Sequence, residues 1–205
     1  MKLQVALDRL SYDECFNILE QVNDAVDIIE VGTGVIKEYG LGIVREIKDK
    51  YPETSVLADV KICDAGKSES ETAFDYGADI ITVMSFADIN TIKSCQEIAQ
   101  QEQKEVVVDL LNNKNPDIFK QLETIGITSV SAHIGKDQQN ENAGSDEFFD
   151  VLKETDFDIY VAGGINENNL SSYLELNPSV VIVGSGITKA DDKKSKAGLL
   201  KKRIS

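Results

Sequence analysis

Eight short apolar runs recur along the chain at nearly even spacing: Leu3 to Leu7, Ile28 to Val31, Val56 to Val60, Ile80 to Met84, Val106 to Val108, Ser129 to Ala132, Ile159 to Ala162 and Val180 to Val183. Each is the length of a strand, and stretches of helical period separate them. Ser11, with Glu14 at capping-box spacing, opens a helix over Tyr12 to Val22. Asn115-Pro116 opens another over Asp117 to Ile125, and Gly77 and Gly126 stand where helices end. Strand and helix in alternation mean parallel βαβ units, whose strands are apolar on both faces because helices cover them.

The residues that close the runs are Asp8, Glu30, Asp59, Met84, Asp109, His133, Gly163 and Gly184, at intervals of 22, 29, 25, 25, 24, 30 and 21. A strand, a helix and the two turns between them need about 25 residues, so these positions fall on one rim, at the C-terminal ends of the strands. In a (β/α)8 barrel that rim is the active-site face. An open doubly wound sheet would also bind ligands there, but the first turn carries no G-x-G-x-x-G. The expectation is a single (β/α)8 TIM barrel, one α/β domain over residues 1–205, at the short end of the usual range for that fold.

Charge narrows the partners. With 36 acidic and 21 basic residues the net charge is −15, which suits neither nucleic acid nor an anionic membrane surface. The one basic concentration, Lys193-Lys194 through Lys201-Lys202-Arg203, is read as a solvated face of the last helix, where cations suit the dipole. Cys15, Cys63 and Cys95 form no C-x-x-C pair and are odd in number, so reduced thiols in a cytoplasm are expected. No signal h-region precedes Asp8, and no apolar stretch approaches membrane-spanning length.

The third run leads into Asp59-Val60-Lys61-Ile62-Cys63-Asp64. Alternation places Leu57, Asp59 and Lys61 on one face of a strand and Val60 and Ile62 on the other. Buried charges are costly unless paired or bound, and an apolar pair would often be as stable, so chemistry is the reason to keep them. Asp8, Glu30, Asp59 and Asp109 converge on the same rim. Two carboxylates about 4 Å apart repel by roughly 4 kcal/mol at an effective dielectric near 20. Lys61 offsets one charge but not four, which leaves room for a divalent cation, and all-oxygen ligands suit Mg2+. The competing reading is that some of these acids cap the helices that follow.

His133 is the only histidine, placed to act as acid or base on the rim; the plainer reading is a structural histidine. Gly163-Gly164 and Gly184-Ser185-Gly186 follow the last two strands, where barrels commonly bind phosphate on bare backbone N–H groups. Tight βα turns also require glycine.

These residues resemble the orotidine 5′-phosphate decarboxylase suprafamily over essentially the whole chain. The resemblance rests on D-x-K-x-x-D (Asp59, Lys61, Asp64), L-x-x-A-L-D (Leu3 to Asp8), I-I-E-V-G-T (Ile28 to Thr33), V-V-D ending at Asp109, H-x-G-x-D-Q (His133 to Gln138), A-G-G-I and V-G-S-G-I. It is greatest to two Mg2+-dependent branches that share a 1,2-enediolate: hexulose-6-phosphate synthase and 3-keto-L-gulonate-6-phosphate decarboxylase. The decarboxylase branch has Glu at the Asp109 position, an Arg soon after the histidine and an Arg after the strand 8 glycine. Here these positions read Asp109, Lys136 and Ser185, and His133, Gly135 and Asp137 fit the synthase pattern.

The resemblance implies an aldol addition of formaldehyde to D-ribulose 5-phosphate. Glu30 and Asp59 would hold Mg2+ and Lys61 would sit beside the developing oxyanion. His133 would take the C1 proton, Asp109 would assist, and Asp8 would bind a substrate hydroxyl. Gly163, Gly164, Gly184 and Ser185 would hold the phosphate, and Asp64 would serve the partner's site in a homodimer. Decarboxylation of 3-keto-L-gulonate 6-phosphate and a non-catalytic phosphosugar-binding barrel are the alternatives. Replacing Lys61 by Ala is expected to relieve a buried charge and leave the fold intact.

Overall fold

The computed structural model of the protein describes residues 1–133 and 147–205. The strands are β1 (Lys2–Leu7), β2 (Ile28–Val31), β3 (Ser55–Ile62), β4 (Ile80–Met84), β5 (Glu105–Asp109), β6 (Ser129–His133), β7 (Asp158–Ala162) and β8 (Val180–Val183). All pair in parallel in sequence order, and β8 returns to β1 to close a barrel. The helices are α1 (Tyr12–Val22), α2 (Thr33–Tyr39), α3 (Gly42–Lys50), α4 (Gly66–Asp75), α5 (Ile89–Glu102), α6 (Asp117–Thr124), α7 (Glu147–Lys153), α8 (Leu170–Leu174), α9 (Ser185–Thr188) and α10 (Lys193–Ile204). Every expected strand is present.

Local signals act as the sequence implies. The Ser11 hydroxyl accepts from the N–H of Glu14, whose carboxylate accepts from the N–H of Ser11, a reciprocal capping box at the start of α1. Gly77 and Gly126 leave their helices at φ of 92° and 80°, left-handed values that cost glycine little.

Alternation divides the apolar side chains into two compartments. Outward residues such as Val5, Val31, Ile81 and Val108 pack under the helices. Inward ones, Ile28, Leu57, Ile80, Val107, Tyr160 and Val180, form a separate plug inside the barrel. Above the plug the inward positions turn polar: Gln4, Glu30, Asp59, Thr82, Asp109 and Ser131 all line the open end. The opposite end is stitched by acids. Asp79 accepts from Lys48 and Lys104, each at 2.8 Å, and from the N–H of Val56 at 2.9 Å, while Asp27 accepts from the N–H of Leu3 at 2.6 Å and from Lys201 at 2.5 Å. The last helix is therefore less purely solvated than its charge run suggested: Lys201 and Lys196, the latter on Glu167 at 2.7 Å, tie α10 to the barrel.

One strand departs from regularity. Ala58 lies opposite Ile81 and Ile62 opposite Val83, so four steps along β3 match two along β4. Within that irregularity Lys61 takes φ of 51°, in the left-handed region unfavourable to a side chain with a Cβ. This bulge lets β3 run to Ile62, past the expected limit at Val60. Among the described residues, no helix is long and apolar enough to cross a membrane.

Candidate active site

The upper end of the barrel opens into a cavity of about 690 Å3. Asp8, Glu30, Asp59, Lys61, Asp109 and His133 line it, with Gly163, Gly164, Gly184 and Ser185 on the side of β7 and β8. Asp64 does not: it is exposed beyond β3, with one carboxylate oxygen accepting from the N–H of Ala65 at 2.7 Å. Of the H-x-G-x-D-Q pattern only His133 is among the described residues; Gly135, Lys136, Asp137 and Gln138 lie outside them.

The centre of the site is a buried relay. Lys61 Nζ donates to Asp109 Oδ2 at 2.5 Å and lies 3.2 Å from Asp59 Oδ1. The same Asp109 oxygen is 3.1 Å from His133 Nδ1, and the other accepts from the N–H of Leu111 at 2.9 Å. Burial alone would raise the Asp109 carboxyl, yet the His133 hydrogen bond and the Lys61 charge outweigh it and hold the pKa to about 2. Burial likewise disfavours the Lys61 ammonium, but Asp59 and Asp109 together lift its pKa above the ordinary lysine value. Asp109 is thus a firm anion and Lys61 a firm cation.

Across the cavity Glu30 stands in a different condition. Its carboxylate accepts from the Gln4 side-chain amide at 2.6 Å, and among the described residues no ion-pair partner reaches it. Burial, then the Asp59 charge, pushes its pKa up to about 8. Asp59 is held by hydroxyls: Thr82 donates to Oδ1 at 2.8 Å and Thr33 to Oδ2 at 2.7 Å. Two buried carboxylates on adjacent strands with one lysine between them leave negative charge that a small hard cation would neutralise. Among the described residues no group of three or more His, Cys, Asp or Glu side chains is gathered to hold a metal ion. The donor set therefore fits an ion such as Mg2+ that takes one or two carboxylates and completes its shell with water and substrate oxygens.

Asp8 bears out part of the capping reading. Its Oδ1 accepts from the N–H of Gly34 in the first turn of α2 at 2.9 Å, and Arg9 pairs with its Oδ2 at 3.0 Å. A side chain at Gly34 would collide with that carboxylate, since a Cβ there falls 2.5 Å from Asp8 Oδ1. Gly163 and Gly164, at φ of 117° and 69°, are required by the turn itself, so their presence alone does not demonstrate an anion site. Gly186 is needed for close approach: a Cβ there would lie 2.6 Å from the carbonyl oxygen of Ile165.

Several cavity residues carry no strong sequence signal. Gln4 and Thr82 are single polar residues inside apolar runs, on the same alternating faces as the charged ones, and only that parity marks them. Arg9, Lys37 and Lys189 stand at the mouth; in sequence they read as ordinary surface cations.

The comparisons with known proteins agree with this geometry. Residues 1–199 match the orotidine 5′-phosphate decarboxylase / HUMPS family. The chain is 38% identical over 207 residues to the 3-hexulose-6-phosphate synthase of Bacillus subtilis, covering 100% of this chain and 99% of that one. The barrel superimposes on the crystal structure of 3-hexulose-6-phosphate synthase from Salmonella typhimurium with a TM-score of 0.92 at 42% identity, over 98% of this chain and 97% of the other. It superimposes on KGPDC from Streptococcus mutans, in that protein's complex with a D-pentose 5-phosphate, with a TM-score of 0.91 at 27% identity, over 99% and 96%. A closed barrel with this rim, and likeness across nearly the whole length, establish that the chain belongs to the orotidine 5′-phosphate decarboxylase / HUMPS family.

Proposed function

We propose that the protein is a 3-hexulose-6-phosphate synthase, a carbon–carbon lyase of the aldehyde-lyase class that joins formaldehyde to C1 of D-ribulose 5-phosphate. The observation that carries this reading is the single Asp109 oxygen shared by the Lys61 ammonium and the His133 imidazole, facing Glu30 and Asp59 across one cavity. With Nδ1 turned to Asp109, His133 presents Nε2 to substrate and takes a proton from C1. Asp109 orients that ring; held to about 2, it is too weak a base to take the proton itself. Lys61, kept protonated by its two carboxylates, acts as a fixed positive charge beside the oxygen that gains negative charge. The C1 carbon then bonds to the formaldehyde carbon, whose carbonyl electrons move to oxygen, and that oxygen takes up a proton.

Glu30 and Asp59 are the residues that would hold Mg2+, which when bound polarises the substrate carbonyl as a Lewis acid. Asp8 would bind a sugar hydroxyl, and Gly163, Gly164, Gly184 and Ser185 would cradle the phosphate. Asp64, exposed and turned from its own cavity, would complete the site of a second subunit in a homodimer. The free thiols of Cys15, Cys63 and Cys95 suit a reducing cytoplasm.

Decarboxylation of 3-keto-L-gulonate 6-phosphate is the second reading, supported by the KGPDC barrel at 27% identity. It is favoured less than the synthase because the synthase relatives reach 38% and 42%. Incubation of the purified protein and Mg2+ with ribulose 5-phosphate and formaldehyde, and separately with the keto-gulonate phosphate, separates them. Condensation with little CO2 release supports the synthase. The reverse selects the decarboxylase, and turnover of neither refutes both.

A further inference from the structure

β4 brings no charged residue to the rim, yet its Thr82 is the point where the two central groups of the site are tied together. Its side chain lies in the cavity wall and is buried, 5% exposed. The hydroxyl oxygen accepts from the backbone N–H of Lys61 at 2.9 Å, and its proton goes to Asp59 Oδ1 at 2.8 Å. The first bond matters because of the irregularity in β3. Between Ala58 and Ile62 the ladder to β4 slips, and Lys61 enters the left-handed region. A buried N–H left unpaired costs about 1–3 kcal/mol, and a left-handed residue with a Cβ costs about 1–2 kcal/mol more. Thr82 supplies the missing acceptor where the strained residue needs it.

We infer that Thr82 is a positioning residue: by accepting from the Lys61 N–H and donating to Asp59 it holds β3 in its bulged form, aiming the Lys61 ammonium between Asp59 and Asp109. A hydroxyl does this because it can accept and donate at once; valine has nearly the same shape and can do neither. Misplacing a charge by about 1 Å costs on the order of 100-fold in turnover. The phosphate end of the cavity, on β7 and β8, is untouched by the change. The defect should therefore fall on kcat and leave KM nearly alone.

The test compares wild type with Thr82→Val, Thr82→Ala and Thr82→Ser, and its kinetic arm rests on the proposed synthase reaction. Thr82→Val and Thr82→Ala should lose about 100-fold in kcat with KM within about threefold, and Thr82→Ser should stay within about threefold of wild type in both. A kcat for Thr82→Val near that of wild type overturns the inference, as does a Thr82→Ser variant as impaired as Thr82→Val. Thr82→Ala decides if the valine variant fails to fold. An arm independent of turnover follows hydrogen exchange of the Lys61 amide by NMR: protection in wild type and Thr82→Ser, and its loss in the valine and alanine variants. Equal protection in all four proteins overturns the inference even if wild type condenses nothing, a result that by itself refutes only the proposed reaction.

Discussion

Lys61 is where structure changes the chemistry most. On sequence alone, its removal should relieve a buried charge. In the barrel it neutralises two carboxylates, so Lys61→Ala leaves Asp59 and Asp109 facing each other without compensation. We expect the variant to lose activity and also stability. Asp109 has a folded pKa of about 2 against an ordinary 3.8, so its stabilising contribution is present above about pH 4 and fades as pH falls through about 2. That contribution is about 2 kcal/mol. Urea unfolding should show Lys61→Ala well below wild type at neutral pH, with the gap narrowing toward pH 2; a constant gap would mean that Lys61 does not hold Asp109 ionised. Glu30 has the opposite sign. Its folded pKa is raised from 4.5 to about 8, so without a divalent cation stability present below 4.5 is lost as pH rises through about 8. Mg2+ should raise Tm, more at about pH 8.5 than at about pH 6 because it competes with the Glu30 proton. Glu30→Gln should abolish that gain, and a gain that survives the substitution would place the ion elsewhere.

At the scale of elements, the sequence made the strands legible and their irregularity illegible. Eight apolar runs became eight strands because residues buried under helices and residues plugging the barrel must both be apolar, a pattern visible without coordinates. The rim residues followed from spacing, because each βα unit returns the chain to the same end. The bulge in β3 left no trace: Asp59 and Lys61 share a face whether or not the strand slips between them. Thr82 and Gln4 were obscure for a related reason, as one polar residue in an apolar run does not reveal which partner satisfies it. Gly66, which opens α4 two residues after Asp64, has an equally hidden constraint. A Cβ there would meet the carbonyl oxygen of Thr91 at 2.3 Å and Cys95 Sγ at 3.0 Å, both in α5. Gly66→Ala should therefore destabilise by about 1–3 kcal/mol through separation of α4 from α5. An unchanged urea midpoint would show that the two helices have room to part.

For the molecule as a whole, the barrel separates its tasks by end. Asp27 and Asp79 pair with lysines at the N-terminal face and hold the closure, while the acids at the other rim converge on a cavity and remain short of positive charge. If Asp64 serves a second subunit, activity is a property of the pair. Inactive Lys61→Ala and inactive Asp64→Asn proteins, mixed and allowed to exchange subunits, should recover about a quarter of wild-type activity, since half the dimers then hold one intact site. No recovery from an exchanged dimer would return Asp64 to its own barrel. The proposed chemistry itself turns on one proton. With Mg2+ and D-ribulose 5-phosphate in D2O and no formaldehyde, wild type should exchange a C1 proton for deuterium, followed by NMR, and His133→Asn should not. Exchange at the wild-type rate in His133→Asn would contradict the assignment of His133 as the base, and no exchange by the folded, Mg2+-supplied wild type would contradict the proposed activity.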